Sequence, residues 1–173
     1  GVEYTVMPDR IEAGTYAMAA VITGGEVTLS KVNHSHMEPL THKLVDAGAT
    51  VEESEGNYHV ARSGQLKPVE LQTLHFPGFP SDLQAGFTAM LTQANGVSTV
   101  HERVFDDRLQ YVNELRKLGA RIKIDGQTAM IHGPSRLVGS EIRALDIRSG
   151  AASVLAGLVA EGTTEIIDIH HLD

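Results

Sequence analysis

The chain has 173 residues, with 14 Lys plus Arg against 22 Asp plus Glu and a formal net charge of −8 at pH 7. This charge argues against a nucleic-acid or anionic-membrane surface, and the absence of cysteine excludes disulfides and thiolate metal sites within the chain. The length fits one domain, no apolar run is long enough to cross a bilayer and no signal peptide opens the chain, so we expect a soluble cytoplasmic protein.

The first predicted helix, Ile11 to Ile22, contains a single charged residue, Glu12, and several alanines. A helix with so little charge is typically buried on all sides, and its small residues allow close packing. Asp9 and Arg10 stand directly before it. The pattern predicts an inner helix with polar residues at its start.

The second predicted helix lies within MEPLTHKLVDAG and carries Leu40, Leu44 and Val45 on one stripe, with charges elsewhere. This pattern predicts an outer helix that ends at a glycine and is followed by a β-hairpin. His34 and His36, just before it, are predicted on one face of a strand. Because the further ligands of a closed site are not evident, no metal site is predicted.

The stretch HFPGFPSDLQAGF, residues 75–87, places Pro80 directly before a third predicted helix. Ser81 is the expected N-cap, and Gln84 three residues later would complete a capping box. Asp82 would then lie in the first turn, where the helix dipole favours negative charge. Helix stabilisation alone explains such an aspartate, so a functional role depends on its neighbours.

The later segments follow the same plan. RLQYVNELRKLG predicts a second outer helix that ends at Gly119 and precedes another hairpin. The segments Leu83 to Ala94 and Ser149 to Ala160 contain no charged residue, so both are predicted to be buried inner helices. Asp146 and Arg148 stand at the start of the last one.

These segments form an internal repeat. Each inner helix begins near a pair of small residues that is followed, eleven residues after its first member, by Gly24, Gly96 or Gly162. The repeats span about residues 1–72, 73–138 and 139–173, and the third lacks its outer helix and hairpin. We therefore predict an α/β domain of parallel buried helices surrounded by short mixed sheets and outer helices. Because the third repeat is truncated, we expect the chain to be a piece of a longer protein, or another segment to complete the unit.

Repeats related by rotation would bring the inner-helix starts to one face. Arginines and helix N-termini on a common surface favour anions, so we expect a site for phosphorylated ligands there. Arg10, Arg108 and Arg148 each have acidic neighbours and could instead form solvated ion pairs worth about 0 to 1 kcal/mol. Function is favoured for Arg148, because a cation in the first helical turn opposes the dipole.

Five stretches also resemble, in order and spacing, one known family. They are MPDRIEAGT, PGFPSDLQA, VFDDRLQYVNELRKLGA, LDIRSGAASVLAGLVAEGTTEI and HHLD. Together they resemble the UDP-N-acetylglucosamine 1-carboxyvinyltransferases, the enolpyruvyl transferases of peptidoglycan synthesis. The resemblance covers the whole chain but only most of one of the two domains of a typical member. It implies the inverse α/β barrel-like fold of enolpyruvyl transferases.

The resemblance also implies a reaction and its residues. The family transfers the enolpyruvyl group of phosphoenolpyruvate to the 3'-hydroxyl of UDP-N-acetylglucosamine through a tetrahedral ketal, without a cofactor. Asp82 matches the aspartate proposed as general base. Arg108 and Arg148 match arginines near the phosphate-bearing substrates, for which a planar guanidinium is suited. The remaining matches are Val104 and Phe105 in the nucleotide-sugar pocket, and Asp146, which orders the site.

Three departures from the family pattern concern activity. The acid that protonates the methylene carbon, commonly a cysteine on a mobile loop, belongs to the second domain. A lysine-asparagine pair near the family's N-terminus is also missing, and so is an arginine expected just after HHLD. The isolated chain is therefore expected to be inactive. Two alternatives are another enolpyruvyl transferase, acting on shikimate 3-phosphate, and a non-catalytic binding domain that retains the fold.

Overall fold

The computed structural model describes residues 1–171, apart from the side chain of His171. In this part of the chain the α-helices are α1 (Arg10–Thr23), α2 (Glu38–Asp46), α3 (Ser81–Leu91), α4 (Val112–Lys117) and α5 (Ile147–Gly157). Short 3-10 helices cover His34–His36, Arg108–Tyr111 and Ile169–His171. The strands are β1 (Glu26–Leu29), β2 (Thr50–Ser54), β3 (Asn57–Ala61), β4 (Glu70–Gln72), β5 (Gly96–His101), β6 (Ile122–Asp125), β7 (Thr128–Gly133), β8 (Glu141–Arg143) and β9 (Glu165–Ile167).

The strands form three separate short sheets among the described residues, and none of them closes into a barrel. One sheet has the order β1-β3-β2 and is antiparallel, and the β8-β9 pair is parallel. The third has the order β4-β5-β7-β6, in which β4 runs parallel to β5 and the other pairs are antiparallel. The sequence of inner helix, strand, outer helix and hairpin occurs first from α1 to β3 and again from α3 to β7. The expected α/β class with mixed sheets is confirmed.

The inner helices run parallel and touch through small residues. A Cβ atom at Gly14 would lie 2.7 Å from Leu83, and one at Gly86 would lie 2.8 Å from Met18 and 3.1 Å from Leu155. Gly14 of α1 therefore faces Leu83 of α3, and Met18, further along α1, faces Gly86, further along α3. Because both pairs advance in the same order, the two helices run in the same direction. A side chain at either glycine would have to displace the ends of these neighbouring Leu and Met side chains, so the small residues in the pattern leave room for them.

Burial differs among the three inner helices. α3 packs against both α1 and α5, and apart from a partly exposed Asp82 all of its residues are buried. The prediction of burial on all sides is wrong for α1 and α5, where Tyr16 is 57% and Val154 is 44% exposed. These two helices have a neighbouring inner helix mainly on one side. No helix in residues 1–171 has the length and apolar character needed to span a bilayer.

The outer helices bury the predicted stripes with one exception. Leu40 and Leu44 of α2 are fully buried, and so are the apolar residues of the α4 region, but Val45 is 52% exposed. The predicted strand with His34 and His36 is wrong, because these residues form a 3-10 helix. Within residues 1–171, no group of three or more side chains is arranged to hold a metal ion.

The free energy of unfolding should fall at high pH because of the buried side chain of Tyr58. Burial raises the pKa of Tyr58 from 10.0 to about 12, although the hydrogen bond with Thr41 at 2.8 Å acts in the opposite direction. The unfolded chain loses the phenolic proton near pH 10, whereas the folded chain keeps it up to about pH 12. The stabilisation is therefore complete below about pH 10 and is lost as the pH rises through 12, a change of about 2 to 3 kcal/mol.

Urea unfolding of the wild type between pH 9 and pH 12 measures this effect. The variant Tyr58→Phe should show a flatter decline in the free energy of unfolding over that range, because position 58 then has no phenolic proton to lose. Tyr16→Phe is the matched control, since the ring of Tyr16 is exposed, and its decline should equal that of the wild type. Equal slopes for Tyr58→Phe and the wild type would contradict the assignment.

Candidate functional site

The carboxylate of Asp82 lies between two guanidinium groups. Its Oδ1 is 3.0 Å from Nη2 of Arg108, and its Oδ2 is 3.3 Å from Nη2 of Arg148. These contacts join residues that are 26 and 66 positions apart in the chain. Asp82 is the second residue of α3, and Arg148 is the second residue of α5. The starts of these two inner helices therefore meet, as the repeat pattern predicts.

The start of α5 is held by Asp146. Its carboxylate accepts a hydrogen bond of 2.7 Å from the backbone N–H of Ser149, and the Ser149 hydroxyl accepts one of 2.8 Å from the N–H of Asp146. This reciprocal capping box satisfies two N–H groups that a helix start would otherwise leave unpaired. Asp146 thereby sets the orientation of the turn that carries Arg148.

The start of α3 differs from the prediction. Pro80 occupies the N-cap position and Ser81 is the first helical residue, so the predicted capping box is wrong. The Ser81 hydroxyl instead donates a 2.8 Å hydrogen bond to the buried carboxylate of Glu102. Gln84 is fully buried, and its amide makes no hydrogen bond within the described part of the chain. Asp82 still lies in the first turn, as predicted.

Val104 and Phe105 form the loop after β5. Both of their backbone N–H groups donate to Glu102, at 2.7 and 3.1 Å. The Phe105 ring is half exposed, and the guanidinium carbon of Arg108 lies 5.1 Å from its centroid. A guanidinium at this distance from a ring is attracted to its π-face, so Phe105 helps to orient Arg108.

A cavity of about 320 Å³ opens beside these residues. Its lining includes Phe105, Arg108, Asp146 and Arg148, four of the six residues predicted for the site. Each guanidinium has five N–H donors and uses one of them on Asp82, so donors remain for a ligand. The guanidinium donors that remain, together with the N-terminus of α5, can bind an anionic group, while Asp106, Asp107 and Asp146 add carboxylates to the same cavity wall.

Tyr111 also lines this cavity but is committed to the core. Its hydroxyl donates a 2.9 Å hydrogen bond to Thr88 on α3, and the residue is almost fully buried. Burial raises the pKa of Tyr111 well above its ordinary value, while the hydrogen bond with Thr88 has a smaller, opposite effect. The phenol therefore stays neutral near pH 7 and serves to anchor the 3-10 helix to α3.

The start of α1 belongs to another cavity. Asp9 caps this helix through hydrogen bonds from the N–H groups of Ile11 and Glu12. The Arg10 guanidinium lies 4.9 Å from the centre of the Phe76 ring, and both line a cavity of about 550 Å³. No contact of Arg10 with Asp82 occurs among the described residues. The structure thus joins two of the three predicted helix starts through direct side-chain contacts.

Glu102 is the part of the site that the sequence interpretation missed. The carboxylate is 1% exposed and accepts hydrogen bonds from Thr73, Ser81 and the loop that follows it. Strand alternation could have indicated it. Ser98, Val100 and Glu102 share the inward face of the β5 segment, and an acidic residue at a buried position needs polar partners.

Comparisons with known proteins cover the whole chain. A family model described as EPSP synthase (3-phosphoshikimate 1-carboxyvinyltransferase) matches residues 1–173. UDP-N-acetylglucosamine 1-carboxyvinyltransferase 1 of Caldanaerobacter subterraneus subsp. tengcongensis is 49% identical over 173 residues, which are 100% of this chain and 42% of that protein. UDP-N-acetylglucosamine 1-carboxyvinyltransferase of Desulfofundulus thermocisternus is 45% identical over 98% of this chain and 70% of that protein. The chain thus spans less than half the length of the first of these relatives.

A solved structure supports the fold. The enolpyruvyl transferase NikO from Streptomyces tendae superposes with a TM-score of 0.88 at 27% identity. The superposition covers 98% of this chain and 40% of that one. The arrangement of inner helices and short sheets described above is therefore also found in a larger protein.

Proposed function

Because the chain belongs along its whole length to the EPSP synthase family of carboxyvinyltransferases, we propose that it forms one domain of an enzyme that transfers the enolpyruvyl group of phosphoenolpyruvate to the 3'-hydroxyl of UDP-N-acetylglucosamine. Relatives with 45% and 49% identity that carry this acceptor in their names support the choice of substrate. The observation that carries the proposal is the position of Asp82 between two arginines at two helix starts. The reaction would contribute to peptidoglycan synthesis in the cytoplasm and needs no cofactor.

In the proposed reaction Asp82 is the general base. It accepts the proton of the sugar hydroxyl as the hydroxyl oxygen attacks C2 of phosphoenolpyruvate, while an acid adds a proton to the C3 methylene carbon. Phosphate then leaves the tetrahedral ketal, and loss of a proton from C3 restores the double bond. A carboxylate serves as the base when it lies within hydrogen-bond reach of the hydroxyl, and the partly exposed side chain of Asp82 is accessible at the helix start.

The other site residues bind and orient the substrates. Arg108 and Arg148 hold the phosphate or carboxylate groups, because guanidinium groups stay charged and match the geometry of these anions. Val104 and Phe105 line the nucleotide-sugar pocket. Asp146 orders the site by capping the helix that carries Arg148.

A second domain completes the proposed active site. The acid that protonates the methylene carbon lies on that domain, and the present chain contributes three repeats over about residues 1–72, 73–138 and 139–173. The division into repeats follows the order of inner helix, strand, outer helix and hairpin along the chain. The chain by itself is expected to bind part of the substrates without turnover.

The identity of the acceptor is tested with the full-length enzyme. We expect release of phosphate from phosphoenolpyruvate when UDP-N-acetylglucosamine is supplied, and none above background with shikimate 3-phosphate. The description of the matching family, which names 3-phosphoshikimate, makes the latter the second candidate acceptor. The 173-residue chain alone serves as the control and should release no phosphate. Turnover with shikimate 3-phosphate and not with the nucleotide sugar would reverse the assignment.

A further inference from the structure

We infer that Glu102 is a positioning residue, whose buried carboxylate holds the α3 turn with Asp82 against the loop with Phe105. This inference deepens the proposed function and rests on it, because it concerns how the same site is kept in place. Glu102 itself is not among the residues that line the cavity. It acts through the residues on either side of it.

Four hydrogen bonds converge on the Glu102 carboxylate. Its Oε1 accepts from the Thr73 hydroxyl at 2.8 Å and from the N–H groups of Val104 and Phe105 at 2.7 and 3.1 Å. Its Oε2 accepts from the Ser81 hydroxyl at 2.8 Å. The donors come from three segments: the end of β4, the first turn of α3 and the loop after β5.

A carboxylate fits this place for a chemical reason. It is a pure acceptor on both oxygens, so it carries no donor that would oppose the four donors around it. No salt bridge to Glu102 is formed within residues 1–171, so hydrogen bonds compensate for the burial of its charge. Such charge-assisted bonds are short and about twice as strong as neutral ones. Because Thr73 and Ser81 are 29 and 21 residues away in sequence, the carboxylate fixes tertiary geometry.

The contacts around Glu102 close into a ring that includes the site. Glu102 binds Ser81, and the next residue along α3 is Asp82. Asp82 binds Arg108, and Arg108 lies over the ring of Phe105. The N–H of Phe105 returns to Glu102. Loss of the bond to Ser81 therefore lets Asp82 move relative to the arginine and the aromatic ring.

The experiment uses Ser81→Ala in the full-length enzyme, because this change removes one of the four bonds and alters no cavity-lining side chain. We expect kcat to fall about tenfold with KM for UDP-N-acetylglucosamine within about threefold, since a misplacement of about 1 Å can cost up to 10²-fold in rate. In an Asp82→Asn background the same change should lower the residual kcat less than about twofold, because the positioned group is already gone. An equal fall in both backgrounds would show a purely structural role and overturn the inference.

Two further comparisons test whether the length or the charge of the Glu102 side chain matters, and whether a general loss of protein stability explains the effect. Glu102→Gln keeps the length of the side chain, whereas Glu102→Asp keeps the charge and loses the reach. We expect the glutamine variant to retain more kcat than the aspartate variant, and full activity of Glu102→Asp would overturn the inference. Ser98→Ala is the control. Like Ser81→Ala it removes a buried hydroxyl, but this one lies on β5 and accepts a hydrogen bond of 3.1 Å from the N–H of Val69 instead of contacting Glu102. It should lower the melting temperature and leave kcat within about twofold.

Amide hydrogen exchange gives a result that does not depend on activity. In the substrate-free enzyme, Glu102→Asp should speed exchange both at residues 81–84 and at residues 103–106, and leave the β6–β7 hairpin unchanged. Faster exchange in the loop alone would mean that Glu102 holds only its own segment, and the inference would be wrong. If the wild type does not use UDP-N-acetylglucosamine, the proposed function fails, and the exchange pattern alone decides the role of Glu102.

Discussion

Asp82→Asn in the full-length enzyme is expected to lower kcat by about 10²- to 10⁴-fold, the usual contribution of a positioned general base. Asparagine has nearly the same shape, so the turn of α3 should keep its place, but the amide cannot accept the hydroxyl proton. Binding of phosphoenolpyruvate should not weaken, because the change removes a negative charge that lies 3.0 and 3.3 Å from two guanidinium nitrogens. Steady-state kinetics and calorimetry measure the two effects separately.

Asp125→Asn is the matched control for this prediction. Asp125 is an exposed aspartate on the β6–β7 hairpin, outside the residues assigned to the site. Its replacement should leave both kcat and substrate binding unchanged. If Asp82→Asn kept kcat within about threefold of the wild type, Asp82 would not be the base, and its place between the arginines would be explained by charge balance alone.

Arg148→Ala is expected to weaken the binding of phosphoenolpyruvate by about ten- to hundredfold. Hydrogen bonds to charged groups contribute about 1.5 to 3 kcal/mol, which corresponds to that range of affinity. The melting temperature should not fall, because a cation in the first turn of a helix opposes the dipole and Arg148 is partly exposed. Arg148→Lys should recover only part of the affinity, since an ammonium keeps the charge and loses the planar fork.

Calorimetry at two salt concentrations completes this test. The affinity of the wild type should fall as salt rises, and that dependence should be smaller in Arg148→Ala. Arg136→Ala is the control, because this exposed arginine pairs with Glu161 and is not assigned to the site. Unchanged affinity in Arg148→Ala would remove Arg148 from the anion site.

The elements that form locally could be predicted well from the sequence. The small residues of the inner helices, the stripes of the outer helices and the two hairpins all follow from periodicities of 3.6 and 2 residues. Gly48 and Gly119 follow the two outer helices with positive φ, as the pattern predicts. Burial on the far sides of α1 and α5 could not be predicted, because it depends on which other elements pack there.

Side-chain partners were predicted less well than positions. Ser81 has the sequence context of an N-cap, yet its hydroxyl binds Glu102, which is 21 residues away. Arg10, like Arg148, lies in the first turn of an inner helix that an aspartate caps, yet it stacks on Phe76 instead of approaching Asp82. A local motif offers a polar group several possible partners, and the one that forms depends on which segment the fold brings near.

By itself, the sequence determined that three helices with small residues begin at polar positions, and that Asp82 and Arg148 each stand in a first turn. These features depend on backbone preferences and on neighbours within about four residues, so the local pattern is sufficient to specify them. Only the tertiary structure decided that the Asp82 carboxylate binds Arg108 and Arg148, and that Glu102 is buried beneath the same turn. Those contacts span 21 to 66 residues of chain, and they form only when the core packs α3 against α5 and the end of β5.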